Sequence, residues 1–244
     1  MVSAGERDLA DLIGKYKIWD HSRIMTQLNL QRVRNEAVRQ TCLEQLRDLL
    51  VPVVKPGMTL LDAGCGPGHY FHSLKELDIE YHGLDFTAHY IEMGREYLPA
   101  SGLPAEKLSR GLIENIDSRF DIVICFNALL YCPDFHQPLE RLCEAANRYL
   151  VIRTLLAERG EQRYVRDGYL DKEYNHLKAY FNIYPMVEFV RFIESYGFEV
   201  QLVVDRRTND RPEWVNDMIH PWRIMFCKRM RDDRVPGSGP PAKD

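Results

Sequence analysis

The run Leu60-Leu61-Asp62-Ala63-Gly64-Cys65-Gly66-Pro67-Gly68, with Asp85 following 21 positions after Gly64, constrains what this chain can fold into more than any other stretch. Two leucines leading into an acid read as a buried strand. Three alternating glycines read as a turn that lets the backbone close on a ligand, and His69 to Leu77 reads as the helix that follows. A helix N-terminus leaves N–H groups unpaired, and glycines remove the Cβ atoms that would block approach. A second short strand, Tyr81-His82-Gly83-Leu84, delivers Asp85 at its carboxyl end, where a carboxylate can accept both hydroxyls of a ribose. The spacing therefore predicts a nucleoside site at the edge of a parallel sheet.

A dinucleotide fingerprint, G-x-G-x-x-G, needs glycine where this chain has His69. Here the spacing is G-x-G-x-G with Asp62 two residues ahead, and a carboxylate there suits a cationic ligand group and repels a pyrophosphate. In this form the run resembles the first motif of the class I S-adenosylmethionine-dependent methyltransferases, whose cofactor carries a sulfonium and an ammonium. The resemblance implies S-adenosylmethionine as cofactor, with contacts from Asp62, Ala63, Gly64, Gly66, Asp85, Phe86, Ile113 and Asn127. In that family pattern Asp62 lies near the methionine ammonium, Gly64 and Gly66 admit the methionine part, and Asp85 holds the ribose. Phe86 would pack on the adenine, although it reads equally as a core residue after its strand. The family often has an acid after the third strand. Leu112 stands there instead, leaving adenine to backbone groups around Ile113 or to Glu114. Asn127, ending the fourth strand, offers its carbonyl to the methionine end.

At 244 residues, 45% hydrophobic and 28% charged, the chain can bury one sizeable core. A net charge of −4 supplies no chain-wide positive field for a polyanion, which argues against nucleic acid as partner. Six cysteines stand without a C-x-x-C pair, as reduced thiols do, and suggest neither a disulfide frame nor a metal site. The first residues lack the apolar core of a signal peptide, and no apolar run approaches the ~18 residues of a membrane span. A cytoplasmic protein without a membrane partner is expected; oligomeric state stays open.

Beyond the glycine turn, strand signals at 58–63, 80–84, 107–111, 120–126 and 148–153 alternate with helix signals at 69–77, 88–98 and 135–147. Alternation of this kind predicts a doubly wound α/β sheet. Phe120 to Phe126 is apolar almost throughout, as a strand buried on both faces is. Pro185 to Tyr196 reads as an amphipathic helix closed by Gly197, followed by strands Phe198 to Val204 and Trp222 to Cys227. That close resembles the family's final antiparallel pair and completes a Rossmann-like sheet of seven strands, mostly parallel. Ahead of the turn, Val38, Cys42, Leu46, Leu49 and Leu50 mark one face of a helix ending before Pro52, and Tyr16 to His21 mixes aromatic and polar residues. Residues 1–57 are read as a helical lid or cap, 58–231 as the methyltransferase domain, and 232–244 as a disordered tail. Residues 154–184 break the pattern with Tyr164, Tyr169, Tyr174, Tyr180, Phe181 and Tyr184. The family commonly places substrate-recognition segments after the fifth strand, and this insertion fits.

A sulfonium already makes its methyl electrophilic, so placing the nucleophile in line supplies much of the acceleration. A base is needed only where the acceptor must lose a proton. Tyr131, in the segment that resembles the family's methyl-proximal motif, and His176, in the insertion, are the catalytic candidates. His21 and His136 are further titratable candidates, and each histidine also reads as structural. Arg153 ends the fifth strand at the ligand edge and, with Arg163 and Arg166, could grip a carboxylate or phosphate. Residues 157–182 hold five acids and five Lys or Arg, which also fits a self-paired solvated face. The chain thus reads as an enzyme that transfers methyl from S-adenosylmethionine to oxygen or nitrogen of a small molecule. An RNA or protein methyltransferase, a non-catalytic cofactor-binding regulatory subunit and, more distantly, a nicotinamide oxidoreductase are the alternatives.

Overall fold

The computed structural model describes residues 21–166, 168–215 and 218–230. Five strands run parallel: β1 (Thr59–Ala63), β2 (Glu80–Asp85), β3 (Leu108–Arg110), β4 (Phe120–Phe126) and β5 (Ala146–Ala157). A hairpin of β6 (Tyr164–Arg166) and β7 (Lys178–Tyr180) follows, and the two-residue β8 (Tyr184–Pro185) pairs with the end of β5. Next come β9 (Phe198–Val203), a hairpin of β10 (Glu213–Val215) and β11 (Met218–His220), and β12 (Trp222–Arg229). β12 lies antiparallel to both β5 and β9, which gives the order β3-β2-β1-β4-β5-β12-β9. The expected seven-stranded sheet with its antiparallel final strand is therefore present. The winding reverses between β1 and β4, and at such a switch point a crevice opens beyond the carboxyl ends of the strands.

β4 explains how one apolar run serves two cores. Ile122, Ile124 and Phe126 point to the side shared with Val33, Leu46 and Leu60. Val123 and Cys125 point to the other, against Leu139, Leu142, Phe189 and Ile193. The first layer is covered by α1 (Arg23–Val33), α2 (Thr41–Leu50), α3 (Phe71–Leu74) and α4 (Ala88–Tyr97), the second by α5 (His136–Ala145) and α6 (Met186–Ser195).

Several boundaries differ from expectation for local reasons. The helix after the glycine turn keeps only four α-helical residues before a 3₁₀ turn over Lys75–Leu77, and Asp78 stops it in the left-handed region at φ +51°. Val38 is 94% exposed and precedes α2, whose buried face is Cys42, Leu43, Leu46 and Leu50. α5 stops at Ala145 because Ala146 already pairs with Phe120 in the sheet. β5 runs on to Ala157 because Thr154, Leu155 and Leu156 are also buried, with Leu155 opposite Trp222 and Leu156 opposite Tyr184. Gly197 closes α6 as predicted, at φ +81° with its N–H donating to the Glu194 carbonyl (2.9 Å). Tyr16 to Asp20 and the predicted tail at 232–244 lie outside the described residues.

Candidate functional site

The crevice at the switch point is a cleft floored by the glycine turn. Asp85 sits at its edge with both carboxylate oxygens engaged: Oδ2 accepts from the Gly66 N–H and Oδ1 from the Thr87 N–H, each at 2.8 Å. Burial pushes its carboxyl up from the ordinary aspartate range, and those two N–H groups pull the other way. Gly66, at φ +55°, faces open space where a Cβ would point, so the backbone is bare toward the cleft. Gly64 serves a different need. A Cβ there would meet the Ala128 Cβ at 2.3 Å, so its absence lets the turn pack on the end of β4.

The opposite wall comes from α1, which sends Met25, Asn29 and Arg32 into the cleft. Spacings of four and three put these residues on one helical face. Arg32 Nη1 donates to Asn29 Oδ1 (3.3 Å), and burial lowers the Arg32 pKa from its ordinary value. Beside it, both His69 ring nitrogens are buried without a hydrogen-bond partner among the described residues. Burial, with Arg32 and His72 nearby, pushes His69 down to about 3, so its ring is neutral. Periodicity searches for apolar residues pass over a polar stripe like that of α1. The i, i+4, i+7 spacing was the available signal.

Among the residues expected to contact cofactor, Gly64, Gly66, Asp85, Phe86, Ile113 and Asn127 line the cleft; Asp62 and Ala63 do not. Asp62 is buried behind the turn, where the Tyr81 hydroxyl donates to its Oδ2 at 2.6 Å. Burial pushes its carboxyl up to about 7; the Tyr81 hydroxyl opposes this and the charge of Asp85 adds to it. Glu114 and Leu112 both line the cleft, and burial raises Glu114. Tyr131 also lines it and meets Phe181 of the insertion edge-on, ring centroids 5.1 Å apart. His176 is exposed and outside the lining, and His136 is exposed at the start of α5 beside Asp134. His21 stacks on Tyr174 at 3.9 Å.

The arginines are placed differently from the expected anion grip. Arg153 is 1% exposed and does not line the cleft. Its Nε donates to Asp205 Oδ2 (2.7 Å), its Nη1 donates to Asn127 Oδ1, and its guanidinium lies 4.0 Å from the Trp222 ring centroid. Buried and turned onto these partners, the guanidinium presents no fork to an acceptor in the cleft. Arg163 donates to the Ile219 carbonyl (3.0 Å) and pairs with Glu161, while Arg166 is exposed on β6. The three do not converge.

A family model described as a methyltransferase domain matches residues 54–187. A ubiquinone biosynthesis O-methyltransferase from Methylobacterium sp. (strain 4-46) is 28% identical over 132 residues, 52% of this chain. The chain spans about half the length of that relative, 53%. Among solved structures, the magnesium protoporphyrin IX methyltransferase of Synechocystis PCC 6803 with bound SAH superposes with a TM-score of 0.59 at 14% identity, covering 90% of this chain and all of that one (100%). The CcbJ methyltransferase of Streptomyces caelestis gives 0.57 at 12% identity, covering 82% and 95%. At such identities these two likenesses concern the fold.

Proposed function

The chain belongs to the methyltransferase-domain family, and from that membership we propose that it transfers a methyl group from S-adenosylmethionine to an oxygen or nitrogen of a small-molecule acceptor. The observation that carries this reading is the pinned Asp85 carboxylate at the end of β2, beside the bare backbone of Gly66 and across from Arg32. The cleft fits the cofactor in polarity as well as in position. Asp85 would take the ribose hydroxyls, and Arg32, with His69 beside it, whose ring nitrogens have no partner among the described residues, would take the amino-acid end. Phe86, Leu112, Ile113 and Glu114 would surround the base.

The cofactor, when bound, supplies an electrophilic methyl. The protein then has to hold the acceptor's nucleophile in line and keep water away. Tyr131, at the rim of the cleft, orients that nucleophile. It is held by a loop that the insertion ties down: the Tyr184 hydroxyl donates to the Leu129 carbonyl (2.7 Å) and Asn182 Nδ2 to the Cys132 carbonyl (2.8 Å). A small acceptor agrees with the net charge of −4 and with the sequence relative named for ubiquinone biosynthesis. Titration calorimetry with S-adenosylhomocysteine and with NAD, followed by transfer of labelled methyl to a metabolite pool and to tRNA, tests it. Binding of the first ligand alone and label in the metabolites is the expected result. Label in tRNA would end the small-molecule reading, and NAD binding would end the methyltransferase reading.

A further inference from the structure

Arg153 pairs with Asp205 where a charge is costly to bury, since both side chains are essentially inaccessible, at 1% and 0% exposed. A well-packed apolar pair of the same volume is often at least as stable as such an ion pair. Stability alone therefore does not explain a guanidinium here, but its geometry does. The fork points two ways: Nε and Nη2 both lie 2.7 Å from Asp205 Oδ2, and Nη1 donates to Asn127 Oδ1. The backbone of Arg153 reaches the same residue, its carbonyl accepting from the Asn127 N–H at 2.9 Å.

Asn127 is an unusual residue to hold. It leaves β4 in the left-handed region at φ +60°, lines the cleft, and its Nδ2 donates to the hydroxyl of Tyr70, another cleft residue (3.3 Å). Asparagine tolerates that conformation better than most residues, yet its amide has two ends that must be oriented. Arg153 supplies a donor to the oxygen, which leaves the amide N–H groups for Tyr70 and the cleft. Asp205 is itself rigidly placed: its Oδ1 accepts from the Arg207 N–H (2.9 Å), and the preceding Val204 carbonyl accepts from Gln45 of α2 (2.6 Å).

We propose that Arg153, with Asp205 as counter-ion, is a positioning residue that orients Asn127 in the cleft for cofactor binding. The proposal rests on the reading of the cleft as the cofactor site. A lysine at 153 keeps the charge but lacks the planar fork that serves Asp205 and Asn127 together.

The test uses the full chain and compares wild type with Arg153→Met/Asp205→Leu, which removes both buried charges at once, with Asn127→Gly, which accepts φ +60° without strain, and with the triple variant. Arg153→Lys is the second single-site probe. S-adenosylhomocysteine affinity is measured by calorimetry, melting temperature alongside, and ligand-free crystal structures are determined. The double variant should melt within a few degrees of wild type yet bind on the order of tenfold more weakly, the scale of one hydrogen bond to a charged group. Asn127→Gly should lose a similar factor, and the triple variant no more than either, because both changes remove one interaction. Arg153→Lys should bind weakly too, and it carries the comparison should the double variant fail to fold. Wild-type affinity in the double or the Lys variant, or a triple loss equal to the product of the separate losses, would overturn the proposal. If wild type itself binds no S-adenosylhomocysteine, the cofactor reading fails. The crystal structures then decide the positioning: an Asn127 amide displaced in the variant upholds it, and one left in place refutes it.

Discussion

Asp62 and Asp85 flank the same glycine turn but do opposite things. Asp85 keeps its carboxylate on the cleft, braced by two N–H groups. Replacing it by Ala should weaken S-adenosylhomocysteine binding by about 1.5–3 kcal/mol, the scale for hydrogen bonds to a charged group. An unchanged dissociation constant in calorimetry would remove Asp85 from the ribose. Asp62 is turned onto Tyr81, and its burial, against the opposing Tyr81 hydroxyl, raises it from 3.8 to about 7. A carboxyl with a raised folded-state pKa contributes stability that is full below the unfolded value and lost as pH climbs through the folded one. Wild type should therefore lose stability from this group between pH 4 and about 7, whereas Asp62→Asn has no such component. The stability difference between variant and wild type should grow by roughly a few kcal/mol from pH 4 to 8, read from denaturant unfolding. A difference that stays flat with pH would mean that Asp62 is solvated and ionised in the fold. The acid was legible in the sequence as part of the motif. Its orientation was not, because Tyr81 becomes its neighbour only when β1 and β2 pair.

At the scale of elements, the start of α1 and the insertion are fastened together across 147 positions of chain. Ser22 Oγ donates to the Tyr169 carbonyl (2.5 Å), the Asp171 N–H donates to the His21 carbonyl (3.0 Å), and the His21 and Tyr174 rings stack. Arg23 also pairs with Asp171 (2.8 Å), but an exposed pair of this kind adds little stability. Because α1 carries Met25, Asn29 and Arg32 into the cleft, ligand binding there should be linked to this fastening. Hydrogen exchange should slow in residues 21–33 and 169–176 together when S-adenosylhomocysteine binds, and Asp171→Ala should reduce the effect in both. Slowing in only one segment would show that they move independently. Arg32→Met should weaken cofactor binding while leaving the sheet's exchange unchanged, since Arg32 meets the cleft and not the strands. The insertion was legible as an aromatic interruption of the α/β rhythm. Its attachment to α1 was not, because the contacts are mostly backbone carbonyls and N–H groups, which every residue type offers.

For the molecule as a whole, a net charge of −4 and the engagement of Arg163 with Glu161 and the Ile219 carbonyl argue against a phosphate-tracking stripe on the insertion. Methyl transfer to the acceptor should therefore depend only shallowly on salt. A steep logarithmic loss of activity between 50 and 200 mM salt, of roughly a thousandfold, would instead indicate a polyanionic substrate. Among the described residues no helix is long and apolar enough to cross a membrane.

The amino-acid sequence by itself determined the sheet, its winding and the place of the site. Strand runs, glycine spacing and an acid at a strand end are local patterns, and each acts through the backbone of its own segment. It also carried Asp85 and the glycines, whose positions on the cleft follow from where a parallel strand ends. The tertiary structure alone decided what the charged residues do. Arg153 sits at the strand edge where a ligand would be met, yet Asp205, Trp222 and Asn127, brought in from three other segments, surround it and take its fork. Arg32, in a segment read as a helical lid or cap and not singled out there, lines the cleft. A side chain's charge is written in the chain, but the partner that claims it depends on distances that exist only after folding.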